Sequence, residues 1–193
     1  MKELSLNILD ITENSTKAKA ELIGIDIIED NSTLTIKITD DGTGMTEEVL
    51  LSVANPFYTT RTTRKVGMGI PLFRLAAEQT GGSLSIESKH IDEFPDTHGT
   101  TVTAVFNKNH IDFTPLGDVI STITTLIQGH PKVDFVFSHK INEYSVTLDT
   151  REIRAVLDDV PLDTYEVILW IKDNLEEQYS ELNKNLYNSR KEN

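Results

Sequence analysis

Leu4, Ile8, Ile11 and Ala18 recur at helical spacing, which predicts a helix over residues 3–19. On the same predicted helix Asn7, Asp10, Asn14 and Lys17 form a second, polar stripe. Two alternating runs follow, Ile23, Ile25 and Ile27 within 22–29 and Leu34, Ile36 and Ile38 within 33–39. A period of two predicts strands. Asp30-Asn31-Ser32 between them is turn chemistry, so the pair is expected to be a hairpin. Asp40-Asp41-Gly42-Thr43-Gly44-Met45 then predicts a tight loop leading into a short helix at 46–53. Residues 54–67 carry no period and are read as a mobile loop. A helix over 68–80 stops at Gly81-Gly82. Strands are expected at 83–89 and 100–107.

From about residue 113 the organisation changes. Residues 116–129 read as a helix, and Val133, Phe135 and Phe137 alternate, as do Tyr144, Val146 and Leu148. The two runs predict a second hairpin around Lys140-Ile141-Asn142. Helices are expected at 150–158 and 162–182, with a frayed polar end after Leu186. The division expected is a main domain at 1–112 and a helix–hairpin–helix appendage at 113–193 that packs on it and is a candidate partner-binding region.

Composition narrows the function. The 193 residues suffice for one main core and a smaller appendage. The net charge of -13 argues against a nucleic-acid binder, because phosphate backbones need a basic face. No apolar run approaches the ~20 residues that span a bilayer, and the first residues do not form a secretory signal. A cytoplasmic protein without membrane contact is the expectation. The absence of cysteine removes disulfides, thiolate metal sites and a cysteine nucleophile.

Three segments carry candidate chemistry: a helix with Asp10 and Asn14, a strand ending in Asp40-x-Gly42-x-Gly44, and a basic loop ending in Gly67-Met68-Gly69. Neither glycine loop fits the P-loop or the dinucleotide fingerprint. Their order and spacing instead resemble the boxes of the Bergerat-fold (GHKL) ATPases, the fold shared by histidine kinases, type II topoisomerases and MutL. Asp10-Ile-Thr-Glu-Asn14-Ser-Thr-Lys17 resembles the N box. Asp40-Asp-Gly42-Thr-Gly44-Met45 resembles the first glycine box. Pro56-Phe-Tyr-Thr59-Thr60-Arg61 is similar to the F box of histidine kinases, and Lys65-Val-Gly67-Met68-Gly69-Ile resembles the second glycine box. Gly99-Thr100-Thr101 resembles the last sheet strand. The resemblance covers roughly residues 3–107 and implies an α+β fold, a two-layer α/β sandwich whose mixed sheet carries helices on one face.

It also implies ATP or ADP as ligand with Mg²⁺. Asp40 is suited to accept from the adenine amino group, and Gly42 and Gly44 to let backbone approach the base. Thr100 resembles the threonine that completes the adenine contacts, with Thr101 as the alternative. Asn14 is suited to hold Mg²⁺, and Lys17 to reach a phosphate. Free N–H groups at Gly67, Met68 and Gly69 suit the phosphates. Met45 belongs to the same glycine loop, and Thr59, Thr60, Arg61, Arg64 and Lys65 are lid candidates. Asp10 stands where the hydrolysing and kinase branches commonly carry a glutamate as general base, one methylene shorter here. Val66 stands where many kinases have a further glycine, which predicts a stiffer or shorter lid.

None of the five histidines sits in a recognisable phospho-acceptor helix, and the N-box-like stretch lies near the start of the chain. The expectation is a stand-alone domain. It would hydrolyse ATP or phosphorylate a protein in trans, as anti-sigma-factor serine kinases do. The alternative is a non-catalytic ATP-dependent switch or interaction module. A protein partner and a possible homodimer complete the reading.

Overall fold

The computed structural model describes residues 3–54, 68–189 and 191, and the expected loop at 54–67 lies almost wholly outside them. Helix α1 spans Leu4–Lys17. Strands β1 (Leu22–Glu29) and β2 (Thr33–Asp40) form the expected antiparallel hairpin. Its turn is closed by Asp30, whose carboxylate accepts from the Ser32 and Thr33 backbone N–H groups at 2.7 Å each. Helix α2 is Glu47–Ala54, α3 is Gly69–Gln79, β3 is Ser83–Lys89 and β4 is Gly99–Asn107. The second half holds α4 (Val119–Gly129), β5 (Asp134–Ile141), β6 (Tyr144–Asp149), α5 (Thr150–Leu157) and α6 (Tyr165–Ser189). Helix α6 continues past Leu186, where fraying was expected, because Leu182 is buried and Leu186 packs against the core.

The six strands make one mixed sheet in the order β3-β4-β2-β1-β5-β6. The second hairpin joins the first through a parallel pairing that sets Leu22 against Asp134 and Ile27 against His139. The Ser138 hydroxyl donates to Asp26 across this junction at 2.6 Å. Each strand buries alternate residues, such as Ile23, Ile25 and Ile27 on β1 and Leu34, Ile36 and Ile38 on β2. Helices α1, α3, α4 and α6 form the layer that packs with them. The fold is α+β, with a mixed sheet and a long C-terminal helix.

Two details of α1 depart from its sequence pattern. Its buried stripe runs Leu4, Ile8, Ile11 and then Ser15, while Ala18 caps the helix end. Asn7, placed in the polar stripe, is fully buried, and its amide has no hydrogen-bond partner among the described residues. Helix α1 packs against both α3 and α4, and its buried residues, Asn7 among them, cover more than one stripe.

A polar network links the far end of β1 to α6. The Glu29 carboxylate can only accept, so His139 donates to it through Nε2 at 3.0 Å. Lys108 donates to its other oxygen at 2.7 Å. His139, 3 % exposed, meets the Tyr179 hydroxyl through Nδ1 at 2.8 Å. The His139 bond, with Lys108 behind it, pulls the Glu29 pKa from 4.5 to about 2. Burial pushes the Tyr179 hydroxyl pKa up.

Candidate functional site

At one end of the sheet the helix-facing row changes from polar to apolar. Ser88 on β3 lies opposite Thr100 on β4, Thr100 opposite Asp40 on β2, and Asp40 opposite Ile23 on β1. The Ser88 and Thr100 hydroxyls are 2.9 Å apart. Thr101 stands one register on, opposite Thr39, so alternation turns it to the other face of the sheet.

Asp40 is only 9 % exposed, so its carboxylate needs donors. Ser15 on α1 supplies one, donating to Oδ2 at 2.6 Å, and the Gly42 N–H supplies another to Oδ1 at 3.0 Å. A carboxylate accepts at about four lone-pair positions. Two bonds leave it able to take a ligand's donor.

The loop after β2 is clamped from three sides. Thr43 donates its N–H to the Ala18 carbonyl at 2.8 Å, and its own carbonyl accepts from the Ile91 N–H at 2.9 Å. The Gly42 carbonyl accepts from His98 Nδ1 at 2.7 Å. Met45 donates its N–H to Ser88 Oγ at 2.8 Å. Gly44 sits at φ +67°, and a Cβ there would run into the Lys89 carbonyl. The structure thus gives this glycine a reason of its own, backbone packed on backbone in a left-handed turn.

On α1, Asp10, Asn14 and Lys17 fall at i, i+4 and i+7 and share one face. Asp10 and Lys17 are exposed and Asn14 is half-buried. Across from Asp10 stands Gly69, the buried first residue of α3, where a Cβ would lie 3.2 Å from the Asp10 Cβ. Met68, 69 % exposed, occupies the N-cap and offers no side-chain cap. The N–H groups of that first turn therefore have no side-chain partner at the cap. Thr59, Thr60, Arg61, Arg64, Lys65 and Gly67 lie outside the described residues.

Two groups result, Asp40, Gly42, Gly44, Met45 and Thr100 at the sheet end, and Asp10, Asn14 and Lys17 along one face of α1, of which Asp10 stands against the start of α3. Ser15 ties them together. Ser15, Ser88 and His98 were missed from sequence. Ser15 had a signal, since it extends the Leu4-Ile8-Ile11 stripe by one further turn, whereas Ser88 and His98 reach the site only through the pairing and return of β3 and β4.

A helix laid over a mixed sheet, with a carboxylate sunk at the strand end and a glycine loop beside it, defines a GHKL-type ATPase domain. The chain belongs to the family described as histidine kinase-, DNA gyrase B- and HSP90-like ATPases, whose family model matches residues 1–110. Over 91 residues it is 30 % identical to sporulation kinase C of Bacillus subtilis (strain 168). That stretch is 46 % of this chain and only 20 % of the kinase. Among solved structures, a point-mutated MutL ATPase domain from Aquifex aeolicus aligns with 81 % of this chain and 67 % of its own, at 15 % identity and a TM-score of 0.50. The ADP complex of the Aquifex aeolicus domain aligns over 81 % of this chain and 69 % of its own, at 14 % identity and a TM-score of 0.49. Among the described residues no helix is long and apolar enough to cross a membrane.

Proposed function

We propose that this domain binds ATP or ADP with Mg²⁺ and uses the bound ATP either for hydrolysis or for phosphorylation of a protein in trans. The observation that carries this reading is Asp40, a buried acceptor held by Ser15 and Gly42 with acceptor capacity to spare, in register with the Thr100 hydroxyl. Such a pair suits the donor and acceptor edge of adenine. Guanine would set a carbonyl against the carboxylate, so selectivity for adenine follows. Asn14 would hold the metal. Phosphate oxygens and water would complete the coordination of Mg²⁺, which keeps several waters when bound. When bound, the ion would neutralise charge that develops on the transferred phosphoryl group. Lys17 and the first N–H groups of α3 would meet the phosphates. Asp10, at the mouth of α3, would accept the proton of the attacking water or hydroxyl.

The second reading, an ATP-dependent switch without turnover, draws on the same residue. Asp10 is one methylene shorter than glutamate, and its Cβ is held close to Gly69, which limits its reach. Calorimetry with Mg-ATP tests binding. Single-turnover incubation with γ-labelled ATP, with and without cell extract, tests chemistry. Free phosphate or labelled protein marks the enzyme, and binding without either marks the switch.

A further inference from the structure

The second half of the chain carries an apolar groove that the nucleotide reading does not use. It encloses about 780 Å³ between the β5–β6 end of the sheet, α5 and α6. Val136, Ile153, Val156, Leu157, Val167 and Trp170 line it. Val156 is 85 % exposed and Trp170 55 %, large values for side chains that water disfavours.

The surrounding charge says what would cover it. Residues 149–177 hold nine carboxylates against three cations. All three cations are already paired, Arg151 with Asp149, Arg154 with Asp134 and Lys172 with Glu176. The other seven carboxylates form no ion pair among the described residues. Two of them, Glu152 and Glu166, line the groove itself. Asp158, Asp159 and Asp163 sit on the α5–α6 connection at its end. Asp173, at i+7 from Glu166, continues the acidic flank along α6.

We propose that this groove docks a cationic amphipathic helix of a protein partner, with its apolar side chains on Val156 and Trp170 and its Lys or Arg residues on the acidic rim. The groove follows α6 from Glu166 to Asn174, nine residues or about 12 Å of helix. That length suits a helical segment with i, i+3, i+4 and i+7 anchors. A second copy of this chain would bring the same acidic rim against itself. An anionic membrane surface would be repelled by it.

Trp170 is the chain's single tryptophan, so the groove reports on itself. The test titrates the whole chain with an amphipathic Leu/Lys peptide of about 18 residues, roughly five helical turns. Its Leu/Glu counterpart and phosphatidylserine vesicles serve as parallel arms. The expected result is saturable, one-to-one blue-shifted Trp170 emission with the Leu/Lys peptide alone, weakening as salt rises. Val156→Asp, at an exposed position, and the pair Glu152→Lys with Glu166→Lys should each weaken binding roughly tenfold or more, a loss of about 1.4 kcal/mol. Absence of any shift, binding untouched by both sets of substitutions, a Leu/Glu peptide that binds as well, or vesicles that bind in its place would each overturn the proposal. So would a concentration-dependent dimer that Val156→Asp abolishes.

Discussion

The Ser15 hydroxyl donates a 2.6 Å hydrogen bond to the buried carboxylate of Asp40, joining the last turn of α1 to the end of β2. Asn14 and Asp10 stand on that helix, so one contact sets their position relative to the strand end. Ser15→Ala leaves a buried carboxylate short of a donor, at a cost of about 1–3 kcal/mol. The expected outcome is a lower melting temperature together with weaker ATP binding. Full retention of both in calorimetry would show that the bond is incidental.

Asp40→Asn should weaken ATP binding by about 1–3 kcal/mol, since a charged acceptor is replaced by an amide that also presents donors to Ser15 and Gly42. The unaltered chain should bind ATP and ADP and take GTP much more weakly. Isothermal calorimetry with both nucleotides decides it, and equal affinities would sink the adenine reading.

Asp10 and Asn14 share a face but should separate in function. Asp10→Asn is expected to slow turnover by roughly 10²–10⁴-fold while ATP affinity stays nearly intact. Asn14→Ala is expected to lose Mg²⁺-dependent binding as well as turnover. If the unaltered chain shows no turnover and Asp10→Asn behaves identically, the switch becomes the better account.

Acid should strike first at the other end of β1. The pKa of Glu29 is lowered on folding, so the stability it contributes is present above its unfolded pKa near 4.5 and is lost as pH falls toward its folded value of about 2. Glu29→Gln should cost about 1–3 kcal/mol at neutral pH and flatten the decline between pH 4.5 and 2. Thermal melts across that range check both, and an unchanged slope in the variant would contradict the assignment.

Most of the elements were legible because their signals are local. The Leu4-Ile8-Ile11 spacing gave α1, the alternating isoleucines with Asp30 between them gave the first hairpin, and the glycine boxes stood in their family order. What stayed hidden is non-local. No periodicity tells that Ile23 will lie beside Phe135, because strands buried on one face can choose among partners of the same pattern. Asn7 looked solvated because an asparagine at helical spacing from Asp10 carries no mark of burial, which comes only from the tertiary packing of α1. Ser88 came into the site by strand register alone.

The parallel pairing of Leu22 with Asp134 has a consequence for biosynthesis. Translation delivers β1 112 residues before the strand that completes it. At common elongation rates that is roughly 6–22 s. Throughout that time the nascent chain presents an unpaired backbone edge at β1, beside isoleucines seeking cover. Premature termination between β4 and β5 would leave the first half of the chain in that condition permanently, with a template for pairing to any neighbouring strand. Release of residues 134–141 from the ribosome is therefore the moment at which the β1 edge is covered.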